Sequence, residues 1–137
     1  NEVFKMHIER DFDISKTDYL PDGAGYAFFK TDTLRVSHKK GNSRHRSELV
    51  SSYIFDNQTE FRINSVSPKK ELKRSDIRIT VDYPEDLVFC RKLYSNLIGK
   101  KNLIEMSDII NYWDNNRDLR NDVEEIGVDW GHGRLWD

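Results

Sequence analysis

The sequence predicts an α/β fold, a layered arrangement in which helices flank a mixed sheet. Short strand-like runs occur at "FDIS", "YAFF" and "FRINSVS", and side chains from Ile77 to Val81 alternate between apolar and polar. The run "PEDLVFCRKLYSNLIGKK" instead has the apolar spacing of a helix. Because the connecting segments are short, we predict one domain over residues 1–137.

Composition supports a folded protein and argues against a disordered, disulfide-bonded or membrane-spanning chain. Aromatic residues make up 12% of the 137 residues, whereas disordered chains contain few of them. Cys90 is the single cysteine, so no internal disulfide can form, and no run of 18 apolar residues suggests a membrane span. The charged N-terminal run lacks the apolar core of a signal peptide. We therefore expect a cytoplasmic protein that does not contact a membrane.

The first half of the chain contains a turn, a strand and two helices. "LPDGAGY" is typical of a tight turn, since Pro, Asp and Gly favour its backbone angles, and "YAFF" after it is predicted to be a buried strand. A helix capped by Thr31 and ending near Gly41 is expected next. A second helix is predicted to present one apolar face, formed by Leu49, Val50, Tyr53 and Ile54.

The second half contains the strongest helical signal. Pro84 opens this helix and Gly99 ends it, as expected from the preferences of those residues for helix termini. Its buried stripe is predicted to be Leu87, Cys90, Tyr94 and Leu97. A shorter helix follows, with Ser107 as its N-cap. Residues 122–137 are predicted to form an irregular aromatic tail.

Asp82, between the predicted strand at 77–81 and this helix, has two interpretations. It could be the N-cap, since Glu85 three residues later completes the pattern of a capping box. It could also bind a metal ion, because open α/β sheets bind ligands at the carboxyl ends of their strands and Mg²⁺ prefers carboxylate and phosphate oxygens. The two roles are compatible, because a carboxylate has two oxygens.

The segment around Asp82 resembles the "LTVDxPEDLxLIxxIY" motif of the spore-coat-polysaccharide type of cytidylyltransferase. Three further segments agree with that family in the same order: "YLPDGAGYAFFKTDTL", "ELVSSYIFDNQTEFRI" and "LIEMSDIINYWDNNRDLRN". Together they span roughly residues 20–121. The resemblance implies the C-terminal portion of a nucleotide-diphospho-sugar transferase-like, Rossmann-like fold.

The resemblance also implies an activity and roles for individual residues. It implies a transferase that activates an acidic sugar as a CMP-sugar, with CTP as donor and Mg²⁺ as cofactor, for polysaccharide biosynthesis. Asp82 matches the metal-binding aspartate of the family. Glu48 would be the catalytic residue on the acceptor side, and Asp22 and Tyr53 would bind substrate. A homodimer is compatible with this interpretation.

Several departures from the family favour a rival hypothesis. Gly25 and Ala27 stand where the family carries carboxylates, and Leu49 replaces its histidine. The basic glycine-containing loop that grips the triphosphate in the family's N-terminal half has no counterpart in this sequence. We therefore expect the chain to be inactive unless joined to such a half. The rival hypothesis is a non-catalytic domain that binds a subunit or another partner.

The remaining polar motifs carry less information. The four histidines do not have the spacing of a zinc site. The basic runs at 39–46 and 69–74 are typical of solvated loops, and the net charge of −2 does not favour nucleic acid as a partner.

Overall fold

In the computed structural model of the chain, residues 2–46, 49–99 and 103–116 are described. They fall into two compact units. The sheet unit comprises residues 2–18 and 26–67, and the helical unit comprises residues 19–25 and 68–116, in each case without the undescribed positions. The prediction of a single domain stays a prediction, and the predicted aromatic tail lies outside the described residues.

The sheet unit contains three strands and three helices. Short 3₁₀ turns lie at Ser43–His45 and Gln58–Glu60. The regular elements in chain order are α1 (Glu2–Glu9), β1 (Ile14–Thr17), β2 (Ala27–Phe29), α2 (Thr31–Lys40), α3 (Ser52–Asp56) and β3 (Ile63–Val66).

The three strands form a mixed sheet in the order β2-β1-β3. Strand β1 pairs antiparallel with β2, where Ile14 faces Phe29, and parallel with β3, where Ile14 faces Ile63. Ile14 and Ser15 are both fully buried. Because neighbouring side chains of a strand point to opposite faces, β1 is covered on both sides. This arrangement confirms the predicted mixed sheet with flanking helices.

A buried polar group joins α1 to the sheet. Nδ1 of His7 on α1 lies 3.0 Å from Oγ of Ser15, and Asn64 on β3 donates to the same oxygen at 3.3 Å. His7 is 3% exposed. These contacts provide the hydrogen bonds that buried polar groups require, and they fix α1 over the central strand.

The helical unit consists of α4 (Pro84–Leu97), α5 (Met106–Asn115) and a 3₁₀ turn at Lys70–Leu72. Its core has five buried side chains, and the rings of Phe89 and Trp113 meet edge to face with centroids 5.4 Å apart. This geometry is favoured for aromatic pairs. The five residues are Ile77, Phe89, Leu93, Ile110 and Trp113.

The predicted strand at 77–81 is wrong. These residues form no strand; a single parallel bridge joins Arg78 to Asp22. Ile77 is fully buried, but Val81 is 54% exposed. The alternation therefore holds for Ile77, which is in the core, and Ile79, which packs against it, but fails at Val81, and no strand pairs with this segment among the described residues.

The predicted buried stripe of α4 is partly wrong. Leu87 and Tyr94 are 40% and 57% exposed, and Cys90 and Leu97 are half-buried at the edge of the core. The buried face contains Asp86, Phe89 and Leu93. The true face is shifted around the helix because a charged residue, Asp86, is fully enclosed.

Smaller corrections concern helix ends and the second apolar face. The N-caps of α2 and α5 are Lys30 and Glu105, not Thr31 and Ser107, although α2 ends at Gly41 as predicted. The apolar face predicted around α3 is partly wrong, since Tyr53 and Ile54 are buried whereas Val50 is 60% exposed. None of the described helices has the length and apolar character needed to cross a membrane.

Candidate functional site

Three carboxylates of the helical unit converge on one guanidinium. Arg78 donates from Nη1 to Asp22 at 3.3 Å, and from Nη2 to Asp86 at 3.2 Å and to Asp82. A further bond of 3.4 Å runs from Nε to the second oxygen of Asp86. We refer to Asp22, Arg78, Asp82 and Asp86 as the Arg78 cluster. Its three acids outnumber its one base, so the cluster carries net negative charge.

The turn at Pro21–Ala24 brings Asp22 to the cluster. The backbone N–H of Asp22 donates to Ile77, and the N–H of Ile79 donates to Asp22, both at 2.8 Å. Gly23 follows with φ +91°, and a Cβ there would lie 2.9 Å from atoms of Thr80. Both the backbone angle and the lack of space require glycine. The turn motif therefore positions Asp22 against Arg78.

Asp86, rather than Asp82, caps α4. The carboxylate of Asp86 accepts hydrogen bonds from the backbone N–H of Asp82 at 2.9 Å and of Tyr83 at 3.0 Å. Tyr83 is the N-cap residue and Pro84 begins the helix. The interpretation of Asp82 as the N-cap is therefore wrong by one position, and the acid at the third helical position supplies the cap.

The electrostatics of the cluster follow from unequal burial. Asp86 is 2% exposed, whereas the side chains of Asp22 and Asp82 are 57% and 62% exposed. Burial opposes ionisation of Asp86, but the Arg78 guanidinium and the two backbone N–H groups outweigh it, and its pKa is lowered. Asp86 in turn raises the pKa of Arg78. Asp86 and Arg78 form the fixed centre, and Asp22 and Asp82 face solvent.

The cluster fits a metal ion only together with oxygens from a ligand. Within the described ranges, no group of three or more histidine, cysteine or acidic side chains is arranged to hold a metal. Asp82 and Asp22 offer hard carboxylate oxygens of the kind that Mg²⁺ prefers, and Mg²⁺ commonly takes only one or two of them alongside phosphate oxygens. Asp82 already pairs with Arg78. A cation bound there would share or replace that contact.

The other predicted site residues lie elsewhere. Glu48 is outside the described residues. Tyr53 belongs to the sheet unit, where it is 7% exposed and its ring meets His45 and Phe61 edge to face at 5.2 and 6.2 Å. The structure thus brings Asp22 and Asp82 together through Arg78. The functional roles of all four predicted residues stay predictions.

Sequence reasoning did not identify Arg78 or Asp86 as part of the site. Arg78 sits in an alternating run, where a polar residue is expected to be solvated, and Asp86 resembles an ordinary first-turn acid. One signal was available: Arg78, Asp82 and Asp86 are spaced four residues apart on either side of a helix start. That spacing alone does not reveal that the turn at Asp22 closes over them.

Comparisons with known proteins place this geometry in context. No protein-family model matches the chain. An uncharacterized protein of Methanocaldococcus jannaschii is 29% identical over 116 residues, which is 83% of this chain and 46% of that protein. A solved cytidylyltransferase of Leptospira borgpetersenii serovar Hardjo-bovis aligns with a TM-score of 0.74 at 15% identity, over 86% of this chain and 50% of that chain.

The chain thus spans about half the length of each of these proteins. The structural similarity shows that it shares its fold with a cytidylyltransferase. It confirms the predicted α/β fold of nucleotidyltransferase type, with its three-stranded mixed sheet and flanking helices.

Proposed function

We propose that this chain is part of a cytidylyltransferase that activates an acidic sugar as a CMP-sugar, with CTP as donor, for surface polysaccharide synthesis of the spore-coat type. The observation that carries the proposal is the fold shared with a cytidylyltransferase over 86% of the chain. The four sequence segments that resemble the family support it. The reaction forms a bond from an acceptor oxygen to the α-phosphorus of CTP and breaks the bond to pyrophosphate.

The Arg78 cluster is the proposed phosphate side of the site. Asp82, exposed at the start of α4, would hold Mg²⁺ together with phosphate oxygens of the ligand. When bound, Mg²⁺ would supply neutralisation of the charge on the phosphates. Asp86 positions Arg78 from the buried side, because its enclosed carboxylate accepts hydrogen bonds from the guanidinium on both oxygens. Arg78 would hold Asp22 and Asp82 a fixed distance apart, so the two exposed acids need not reorganise when the ligand arrives.

The acceptor side is assigned to three residues. Glu48 would act on the acceptor oxygen, and Asp22 and Tyr53 would bind the sugar. The proposal retains a cytoplasmic setting and allows a homodimer; it includes neither nucleic acid nor a membrane.

A second candidate function is a non-catalytic domain for subunit or partner binding. One structural observation favours it: Asp82 is already paired with Arg78, so a cation must compete with a guanidinium. Gly25, Ala27 and Leu49, which lack the polar groups of the family, favour it as well.

Mg²⁺-dependent nucleotide binding distinguishes the two functions. The purified chain is titrated with CTP in calorimetry, with and without Mg²⁺, beside Asp82→Asn and the control Asp76→Asn. Asp76 is an exposed acid of the same unit that also pairs with an arginine, Arg74 at 2.7 Å. We expect weak binding that requires Mg²⁺, is lost in Asp82→Asn and is retained in the control.

Turnover provides the second test. We expect no pyrophosphate release from the chain alone with CTP, Mg²⁺ and a panel of acidic sugars, because one exposed carboxylate pair cannot grip a triphosphate on both sides. Absence of any Mg²⁺-dependent CTP binding would favour the non-catalytic domain. Pyrophosphate release that disappears in Asp82→Asn would instead mean that a complete site exists in this chain.

A further inference from the structure

A cavity of about 420 Å³ lies within the sheet unit, apart from the Arg78 cluster. This is within the size range of small-molecule sites. One side is formed by α1 and β2 and the other by the start of α2. Its principal lining residues are Phe4, His7, Ile8, Phe28, Phe29 and Arg35.

Aromatic rings form the apolar wall of this cavity. The ring of Phe28 lies 5.4 Å from Phe4 and 6.1 Å from His7, measured between centroids. The ring of Tyr26 also meets Phe28, edge to face, with centroids 5.4 Å apart. Phe4 and Ile8 lie one turn apart on α1 and are 49% and 61% exposed, so they border the mouth. Such a wall favours a flat ring, because rings stack or meet edge to face at these separations.

His7 supplies the polar group of the cavity. Asn64 donates to Oγ of Ser15, which leaves the hydroxyl hydrogen of Ser15 free to donate to Nδ1 of His7 at 3.0 Å. If Nδ1 donated instead, the buried hydroxyl hydrogen of Ser15 would have no acceptor among the described contacts, so we assign Nδ1 as the acceptor and the ring proton to Nε2. Among the described residues, Nε2 of His7 has no hydrogen-bond partner.

Nε2 of His7 is also open to the cavity. Among the described residues, only the side-chain oxygen of Thr80 is both inaccessible to solvent and without a hydrogen-bond partner. Nε2 of His7 also has no partner but is not in that class. Nε2 therefore keeps some accessible surface, although the whole His7 residue is only 3% exposed. The open space that His7 lines is this cavity. We therefore assign the accessible part of Nε2 to this cavity.

The charged residues at the rim offer no free charge to a ligand. Lys30 pairs with Asp11 at 2.8 Å and with Asp13 at 3.3 Å, and Arg35 pairs with Asp32 at 2.7 Å. Burial, followed by the charge of Lys30, lowers the pKa of His7, so its ring is neutral near pH 7. The cavity therefore suits an uncharged ligand better than an anion.

We propose that this cavity is a binding site for a small, uncharged planar ring that carries one hydrogen-bond acceptor. The ring would lie against Phe4 and Phe28, and its acceptor would receive the Nε2–H of His7. Nucleobases and aromatic amides share this chemistry. The site is independent of the proposed transferase function, because none of its residues belongs to the Arg78 cluster or to the predicted acceptor side.

The test is a titration of the ¹⁵N-labelled chain followed by NMR. The probes are benzamide, uracil and cyclohexanecarboxamide, which has the amide but no flat ring. We expect benzamide or uracil to shift the Nε2 signal of His7 and the amide signal of Phe28 saturably. The probe that binds more tightly shows whether the site prefers a nucleobase (uracil) or an aromatic amide (benzamide). Cyclohexanecarboxamide should bind at least fivefold more weakly.

Two variants complete the test. Phe4→Ala removes an exposed part of the wall and should weaken binding at least fivefold, without the risk of unfolding that a change at buried His7 carries. Val36→Ala, a half-exposed site on α2 that does not line the cavity, should bind like the parent. Shifts confined to other residues, no saturable shift with either ring, or equal binding by Phe4→Ala would overturn the proposal.

Discussion

The two units of this protein enclose polar groups in different ways. In the sheet unit, the buried polar pair is neutral: His7 and Ser15 share a hydrogen bond, and Asn64 donates to the same Ser15 oxygen, on a strand that is paired on both sides. In the helical unit, the enclosed group is ionic: Asp86 on α4 pairs with Arg78, whose segment forms a single β-bridge, to Asp22, among the residues that the structure describes. Where a backbone ladder is absent, charged side chains provide the connection, and loss of one partner is correspondingly costly.

The largest expected effect comes from breaking the ionic connection. Asp86→Ala should lower the free energy of unfolding by about 3–5 kcal/mol, because Arg78 loses its enclosed partner and α4 loses its cap. The matched control is Asp56→Ala in the sheet unit. Asp56 also accepts from an arginine and a histidine, Arg44 and His45, but its side chain is 43% exposed.

We expect Asp56→Ala to cost much less than Asp86→Ala, because solvent screens exposed ion pairs. Urea denaturation followed by circular dichroism measures both variants. Equal losses in the two variants would mean that burial does not distinguish these acids.

The next largest effect is expected from alanine substitution of Gly23, in the turn that carries Asp22, compared with the same substitution of Gly99. Gly23 and Gly99 have similar angles, φ +91° and +86°, but only at Gly23 would an added Cβ meet described atoms within 4 Å. Both alanine variants should lose roughly 1–2 kcal/mol from the left-handed backbone. Gly23→Ala should lose about 1 kcal/mol more, from overpacking against Thr80. Thermal unfolding of the two proteins tests this, and similar melting temperatures would contradict it.

The dependence on pH should differ between the units. The folded pKa of His7 lies below its ordinary 6.5, so the unfolded chain takes up this proton first. The associated stability is present above pH 6.5 and is lost as the pH falls through the folded pKa. The folded pKa of Asp86 lies below 3.8, so its contribution persists to pH 3.8 and is lost only below it.

Urea unfolding at pH values from 8 to 3, read at resolved NMR signals of Ser15 and Leu93, separates these two windows. His7→Gln should remove the loss of unfolding free energy that begins below pH 6.5. The charged neighbours of His7, namely Lys30, Asp11 and Asp13, are unchanged in that variant. A parent protein with constant stability between pH 7 and 5 would contradict the assignment.

The smallest effect should come from a pair that neither unit encloses. Asp32 and Arg35 are 85% and 74% exposed on α2. Asp32→Asn should change the free energy of unfolding by less than about 0.5 kcal/mol, and 1 M salt should remove the difference. A loss above 1 kcal/mol in urea denaturation would show that exposure does not set the scale of these pairs.

The sheet unit was largely predictable because its signals are local. "YAFF" and "FRINSVS" contain β2 and β3, and "FDIS" overlaps β1 at Ile14 and Ser15, although that strand continues to Thr17. Helix α4 was predictable for the same reason, since Pro84 and Gly99 mark its ends. In these segments the local preference and the tertiary structure agree.

The helical unit was less predictable because its contacts are long-range. The alternation from Ile77 to Val81 fits a strand, but a strand also needs a neighbour. Within the described ranges, the sole β-bridge partner of this segment is Asp22, which bridges to Arg78 from 56 residues away in the chain. The buried face of α4 was misassigned because an enclosed Asp86 is plausible only once its cation is known. The Arg78 cluster could therefore be predicted only at Asp22 and Asp82, and only through family resemblance.

The position of Cys90 makes its rate of thiol labelling a measure of movements in the helical unit. Its thiol lies 3.9 Å from the carbonyl oxygen of Ile79, and burial, followed by the charge of Asp86, raises its pKa. Thiol reagents attack the thiolate, so the closed protein reacts slowly. Because Cys90 is the sole thiol of the chain, every labelling event reports on this one position beside residue 79. Since the thiol is half-buried, movement of α4 away from residue 79 should add to the slow labelling of the closed protein, and a colorimetric reagent measures the sum in the unmodified protein.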